Sequence, residues 1–116
     1  MFKVLAFLSK REGIETRAFI DYYENKHVPL ICSLAPTPIV YKRRYVIEKL
    51  TSEGGVIDFD VVTELGFADR AAYLAWMAQL SGAGAQVAAD EAKFLDRSRT
   101  RAYVVEEYVT ADSAVR

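Results

Sequence analysis

The chain has 116 residues, 52% hydrophobic and 27% charged: one core's worth of apolar material and too much for a disordered chain. Its 15 Lys+Arg and 16 Asp+Glu leave a formal net charge of -1, which argues against nucleic acid or an anionic membrane as partner. The one cysteine, Cys32, excludes an intrachain disulfide; beside Ile31 and Leu34 it reads as a buried thiol in a cytoplasmic protein.

Residues 2–8, FKVLAFL, read as a strand closed by the polar turn SKREG. The run is too short for a membrane span, and Lys3 breaks the pattern of a signal peptide. A helix follows with Thr16 as its N-cap and Phe19, Tyr23 and His27 four apart on one face. Pro29 either kinks that helix or opens a second helical turn through LICSL. Pro36 and Pro38 enforce an extended connection to a strand over 39–49. TSEGG at 51–55 is a loop, and 57–67 is a third strand joined to the second as a hairpin. Asp69 caps the next helix, whose apolar stripe is Tyr73, Trp76, Met77 and Leu80 and whose end is marked by Gly82 and Gly84. A short helix over 86–95 and a strand over 101–109 complete the order, with a frayed tail after Thr110.

This order, β-α-β-β-α-β, predicts a single α+β domain over 1–116 with its core at about 2–109. The sheet is four-stranded and antiparallel, with helices on one face, and an irregular mixed sheet is the alternative. Helices cover one face only, yet the strands carry apolar residues on both parities: Val4 against Leu5 and Phe7, Val61 against Val62, Tyr103 against Val104. Packing of the open face against a second copy, a homodimer, resolves this; cover by loops and tail is the alternative.

The segment FKVLAFLSKREGIETRAFIDYYENKHVPL resembles the start of the EthD family, through Phe19, Tyr22, Tyr23, His27, Pro29 and Leu30. The segment VAADEAKFLDRSRTRAYVVEEYV resembles the family's end, through Ala89, Asp90, Glu91, Phe94 and Val-Glu-Glu at 105–107. The resemblance implies a ferredoxin-like fold paired into a dimeric α+β barrel, with a pocket between sheet and helices. It further implies roles near oxidative degradation or aromatic polyketide chemistry. Related barrels include cofactor-free monooxygenases, cyclases, isomerases and decarboxylases, so fold alone does not choose the reaction.

His27 is the one histidine, and imidazole is the side chain suited to exchanging protons near neutral pH. It is the first candidate for catalysis; fixing the VPL turn through a carbonyl or a Tyr hydroxyl is its structural alternative. Tyr22 and Tyr23 are candidates to polarise a carbonyl or hold an enolate, against ordinary packing. Asp90 is a candidate to orient His27, against capping a loop. Tyr41, Arg43, Trp76 and Phe94 are candidate substrate contacts. For Arg43 the alternative is a cross-strand ion pair with Asp60, Glu64, Glu106 or Glu107, and for Trp76 it is core. Arg43 and Arg44 point to opposite faces of their strand.

No cofactor is expected. One His and one Cys cannot build a standard zinc site within one chain, and Walker, GxGxxG and GxSxG patterns are lacking. No motif specifies haem, though related barrels can bind it. Two function classes follow. One is a cofactor-free enzyme acting on an aromatic or polyketide-like molecule through a stabilised enolate or phenolate, as cyclase, dehydratase, decarboxylase or oxygenase. The other is a non-catalytic ligand-binding or accessory protein using the same pocket.

Overall fold

In the computed structural model, which describes residues 1–51 and 59–111, the first apolar run forms strand β1, Phe2–Leu8. Strands β2 (Val40–Tyr45), β3 (Val61–Phe67) and β4 (Arg101–Val105) join it in the order β2-β3-β1-β4, with every neighbouring pair antiparallel. The two central strands are β1 and β3, where both sequence parities are most apolar. With its helices on one face, this is the α+β architecture that the element order predicts and the ferredoxin-like fold that the resemblance implies.

Two strand ends fall short of expectation, because a strand lasts only as long as its partner. β2 ends at Tyr45, whose partner Val61 opens β3; one further bond, Val46 N–H to the Asp60 carbonyl at 2.9 Å, precedes departure from the sheet. Ile47 and Leu50 are exposed beyond it. β4 ends at Val105, which pairs with Lys3 near the start of β1, so Tyr108 and Val109 have nothing to pair with and are exposed. The start expected for the third strand (57 and 58), the loop residues 52–55 and the tail residues 112–116 lie outside the described residues.

The first helical stretch runs without a break as α1 (Thr16–Tyr22), a π-helical turn (Tyr23–His27) and α2 (Val28–Leu34). Pro29 therefore opens a helical segment rather than breaking one. It has no N–H to give to the preceding turn, and the wider π turn accommodates it: Val28 N–H reaches back to the Tyr23 carbonyl. Thr16 is not the cap; Glu15 holds that position without a side-chain bond, and Thr16 Oγ1 accepts from Lys10 Nζ at 3.2 Å. Asp69 does cap α3 (Arg70–Gly82), accepting from Ala72 N–H at 2.8 Å. Gly84 opens α4 (Gly84–Glu91) instead of ending α3. A 3-10 turn at Arg97–Arg99 leads into β4. No helix among the described residues is long and apolar enough to cross a membrane.

Period-two alternation sends Val4 and Leu8 of β1, and Val61, Thr63, Leu65 and Phe67 of β3, to the helix-covered face, where all are buried. One cluster centres on Trp76 with Val4, Ile31, Leu65 and Phe67. The other centres on Phe19, Tyr23 and Phe94 with Leu8 and Val61. Met77 is 41% exposed on α3 and Cys32 is half-buried, so neither is the fully buried residue its neighbours suggested. On the open face Glu64 is buried between Lys3 Nζ and Arg44 Nη1, each at 2.9 Å.

Candidate functional site

Helical spacing of four puts Phe19, Tyr23 and His27 on the buried side of the first helical stretch. The chain returns after α3, and α4 delivers Asp90 to the same place. His27 Nδ1 lies 2.6 Å from Asp90 Oδ2, and Tyr22 Oη donates to Asp90 Oδ1 at 2.7 Å. A carboxylate only accepts, so Nδ1 carries the hydrogen and Nε2 of the neutral ring is left with its lone pair. Asp90 thus has both oxygens occupied, which fixes the imidazole plane. Phe94 packs against the imidazole with ring centroids 4.9 Å apart and planes tilted by 52°, and Tyr23 meets it edge-on at 5.1 Å.

His27 forms part of the wall of a cavity of about 360 Å³ between sheet and helices. The floor is Val4, Ala6, Leu65 and Thr63; α3 supplies Trp76, Met77 and Leu80; Tyr23, Tyr41 and Tyr73 add aromatic faces. This volume suits a small organic ligand, and the walls are chiefly apolar with a few hydroxyls. Tyr23 Oη and Thr63 Oγ1 share a hydrogen bond of 2.5 Å in which either atom can donate. When Thr63 donates, the Tyr23 hydroxyl hydrogen is free for a ligand oxygen. Burial pushes the Tyr23 phenol up to about 12, and burial with the Asp90 bond does the same for Tyr22, so both are donors at neutral pH.

The structure sorts the sequence candidates by distance from the cavity. His27, Tyr23, Tyr41 and Trp76 line it. Asp90 and Tyr22 stand one layer back, in a hydrogen-bonded chain behind His27. Tyr22 therefore does not polarise a ligand carbonyl directly, because its hydroxyl is committed to Asp90. Phe94 is completely buried against Phe19, Tyr22, Tyr23 and His27, so it supports the imidazole rather than forming a wall. Trp76 is both core and wall, and its indole Nε1 has no hydrogen-bond partner among the described residues.

Arg43 is also withdrawn from the cavity. It turns to the helix side and grips Glu24 with Nε at 2.9 Å and Nη2 at 2.6 Å, while Tyr45 Oη donates to the same carboxylate at 2.5 Å. This contact holds the Glu24 carboxyl below its usual range and raises the guanidinium further. The acid is thus a helix residue, not one of the strand or loop acids considered for Arg43. Arg44, on the opposite face, does take Glu64. The Arg43 guanidinium stacks on the Tyr41 ring, 4.8 Å from its centroid, and so braces the wall from behind.

Sequence reasoning passed over Thr63, Glu91 and Arg97 as wall residues. Thr63 had a signal, as the one polar side chain on the inward parity of β3 among Val61, Leu65 and Phe67. Glu91 and Arg97 had none, since their 3.1 Å ion pair forms across the turn that follows α4.

A four-stranded antiparallel sheet, helices on one face and an aromatic cavity between them define a ferredoxin-like α+β domain. The family model described as "EthD domain" matches residues 11–98, and the chain belongs to the EthD family. Three solved structures share the fold. The At3g17210 protein of Arabidopsis thaliana superposes with a TM-score of 0.66 at 12% identity, over 96% of this chain and 99% of that one. An EthD family protein of Bacillus halodurans C-125 gives 0.63 at 20% identity, over 93% and 100%. HapK of Hahella chejuensis gives 0.62 at 14% identity, over 97% and 98%. A comparison with curated protein sequences returned no match.

Proposed function

We propose that this protein is a cofactor-free enzyme that moves a proton on an aromatic or polyketide-like small molecule. One observation carries the reading: His27 is held by Asp90, itself held by Tyr22, while its ring borders an aromatic cavity and Nε2 has no hydrogen bond to a described residue. In this arrangement Nε2 removes a proton from carbon or oxygen of the substrate, and Asp90 stabilises the imidazolium that forms. Tyr23, accepting from Thr63, donates to the enolate or phenolate oxygen that develops. The apolar walls exclude water and strengthen both interactions. Cyclisation, dehydration and oxygenation can all begin with this step; decarboxylation needs the same stabilised enolate but reaches it by loss of CO2.

Hydrogen–deuterium exchange at the acidic carbon of β-tetralone, a bicyclic ketone, tests the step without knowledge of the natural substrate. The wild-type chain should accelerate exchange, Asp90→Asn should slow it by roughly 100-fold, and His27→Gln should return it to background. Nitrogen NMR of the single histidine should show the Nδ1–H form in the wild-type chain and lose it in Asp90→Asn. Undiminished exchange in His27→Gln would reject the reading. Binding of the ketone without exchange would instead favour the ligand-carrier alternative.

We propose also that the chain works as a homodimer through its open sheet face. Leu5, Phe7, Val62 and Val105 lie on that face with Tyr103, which is 54% exposed. A depression of about 490 Å³ there is lined by Phe7, Phe59, Arg99, Arg101 and Tyr103. Light scattering at micromolar concentration should return twice the 13.0 kDa chain mass, and a monomer would count against it.

A further inference from the structure

We infer that the cavity selects uncharged ligands, ketones, phenols or amides, and rejects aromatic carboxylates of the same size. The inference rests on the reading of this cavity as the substrate site and adds the charge class of the substrate. The two arginines that border the cavity, one in the wall and one behind it, each hold an acid. Arg97, the one arginine or lysine in the wall among the described residues, donates to Glu91 at 3.1 Å, and Glu91 is itself in the wall. Arg43, behind Tyr41, is held by Glu24 through two hydrogen bonds. His27 carries Asp90 at its back, so the pair is neutral when the ring is protonated and negative when it is not. The cavity field is therefore neutral to negative in every protonation state of the ring.

A carboxylate brought into such a site leaves water and gains no counter-charge, and desolvation without pairing is strongly unfavourable. A neutral oxygen faces no such penalty and finds donors. The hydroxyls of Tyr41, Ser81 and Thr100 line the cavity and make no hydrogen bond to another described residue. Tyr23 adds a donor whenever Thr63 donates to it. The wall is thus equipped for several carbonyl or hydroxyl oxygens on an apolar frame, and not for an anion. By the same chemistry, a carboxylic acid would have to be removed or esterified by an earlier reaction before its product entered here, so the inference narrows the proposed reactions by taking decarboxylation of a free acid out of them.

Two nearly isosteric probes, naphthamide and naphthoate, decide the matter by isothermal titration at neutral pH. The wild-type chain should bind the amide at least about 10-fold more tightly than the carboxylate, a difference of about 1.4 kcal/mol. Glu91→Gln keeps the side-chain shape but frees Arg97, and should improve naphthoate binding by roughly 3- to 10-fold while leaving naphthamide within about 2-fold. Ser81→Phe, at an exposed position of α3 on the cavity rim, should weaken both probes and so place them. Equal or tighter binding of naphthoate in the wild-type chain overturns the inference, as does an unchanged preference in Glu91→Gln or failure of both probes to bind. Loss of ketone exchange with the amide preference intact would reject proton transfer and leave this inference standing. Exchange that depends on His27 together with tight naphthoate binding would do the reverse.

Discussion

Replacing Phe94 by alanine should cost the fold about 3–5 kcal/mol, read as a lower midpoint of urea unfolding. Phe94 is completely buried and touches the rings of Phe19, Tyr22, Tyr23 and His27, so no neighbour can relax outward to fill the space. For a domain with only 5–15 kcal/mol to lose, that is a large fraction. The same substitution removes the surface on which the imidazole lies, so the His27 resonances should broaden or split. Phe94→Leu refills most of the volume and should cost less than half as much. If Phe94 were a ligand contact, its loss would weaken probe binding and leave stability nearly unchanged. That outcome would reject the placement of Phe94 behind the site.

Alkaline pH should unfold the protein between about pH 10 and 12. Tyr23 is 1% exposed, and burial raises its phenol from 10.0 to about 12; Tyr22 rises to about 12 as well. Burial raises Tyr41 and Tyr45 in the same direction. A raised value means that the folded chain keeps its proton while the unfolded chain gives it up. The associated stability is complete below pH 10 and falls as pH climbs towards 12. Tyr23 alone accounts for about 3 kcal/mol over that interval. Far-ultraviolet circular dichroism should therefore hold steady from neutrality to about pH 10 and then collapse together with the rise of tyrosinate absorbance. Tyr23→Phe should make the decline of stability with pH shallower by about one proton. An unchanged slope in that variant would show that Tyr23 does not drive the transition.

The sequence by itself determined the element order, the α+β class and the face shared by Phe19, Tyr23 and His27. Those are local facts: alternation of two fixes a strand's faces, and spacing near 3.6 fixes a helix's stripe. It also marked both Asp90 and His27, although 63 residues separate them and no periodicity links them. Only the tertiary structure decided how each candidate is used. It packed Phe94 against the imidazole, gave Tyr22 to Asp90 and bound Arg43 to Glu24, because a side chain's partner depends on which element packs over it. It likewise ended β2 and β4 early, where their neighbours ended. The β-α-β-β-α-β order is written along the chain; the cavity and its balanced charges arise where helices meet sheet, between residues that no local pattern connects.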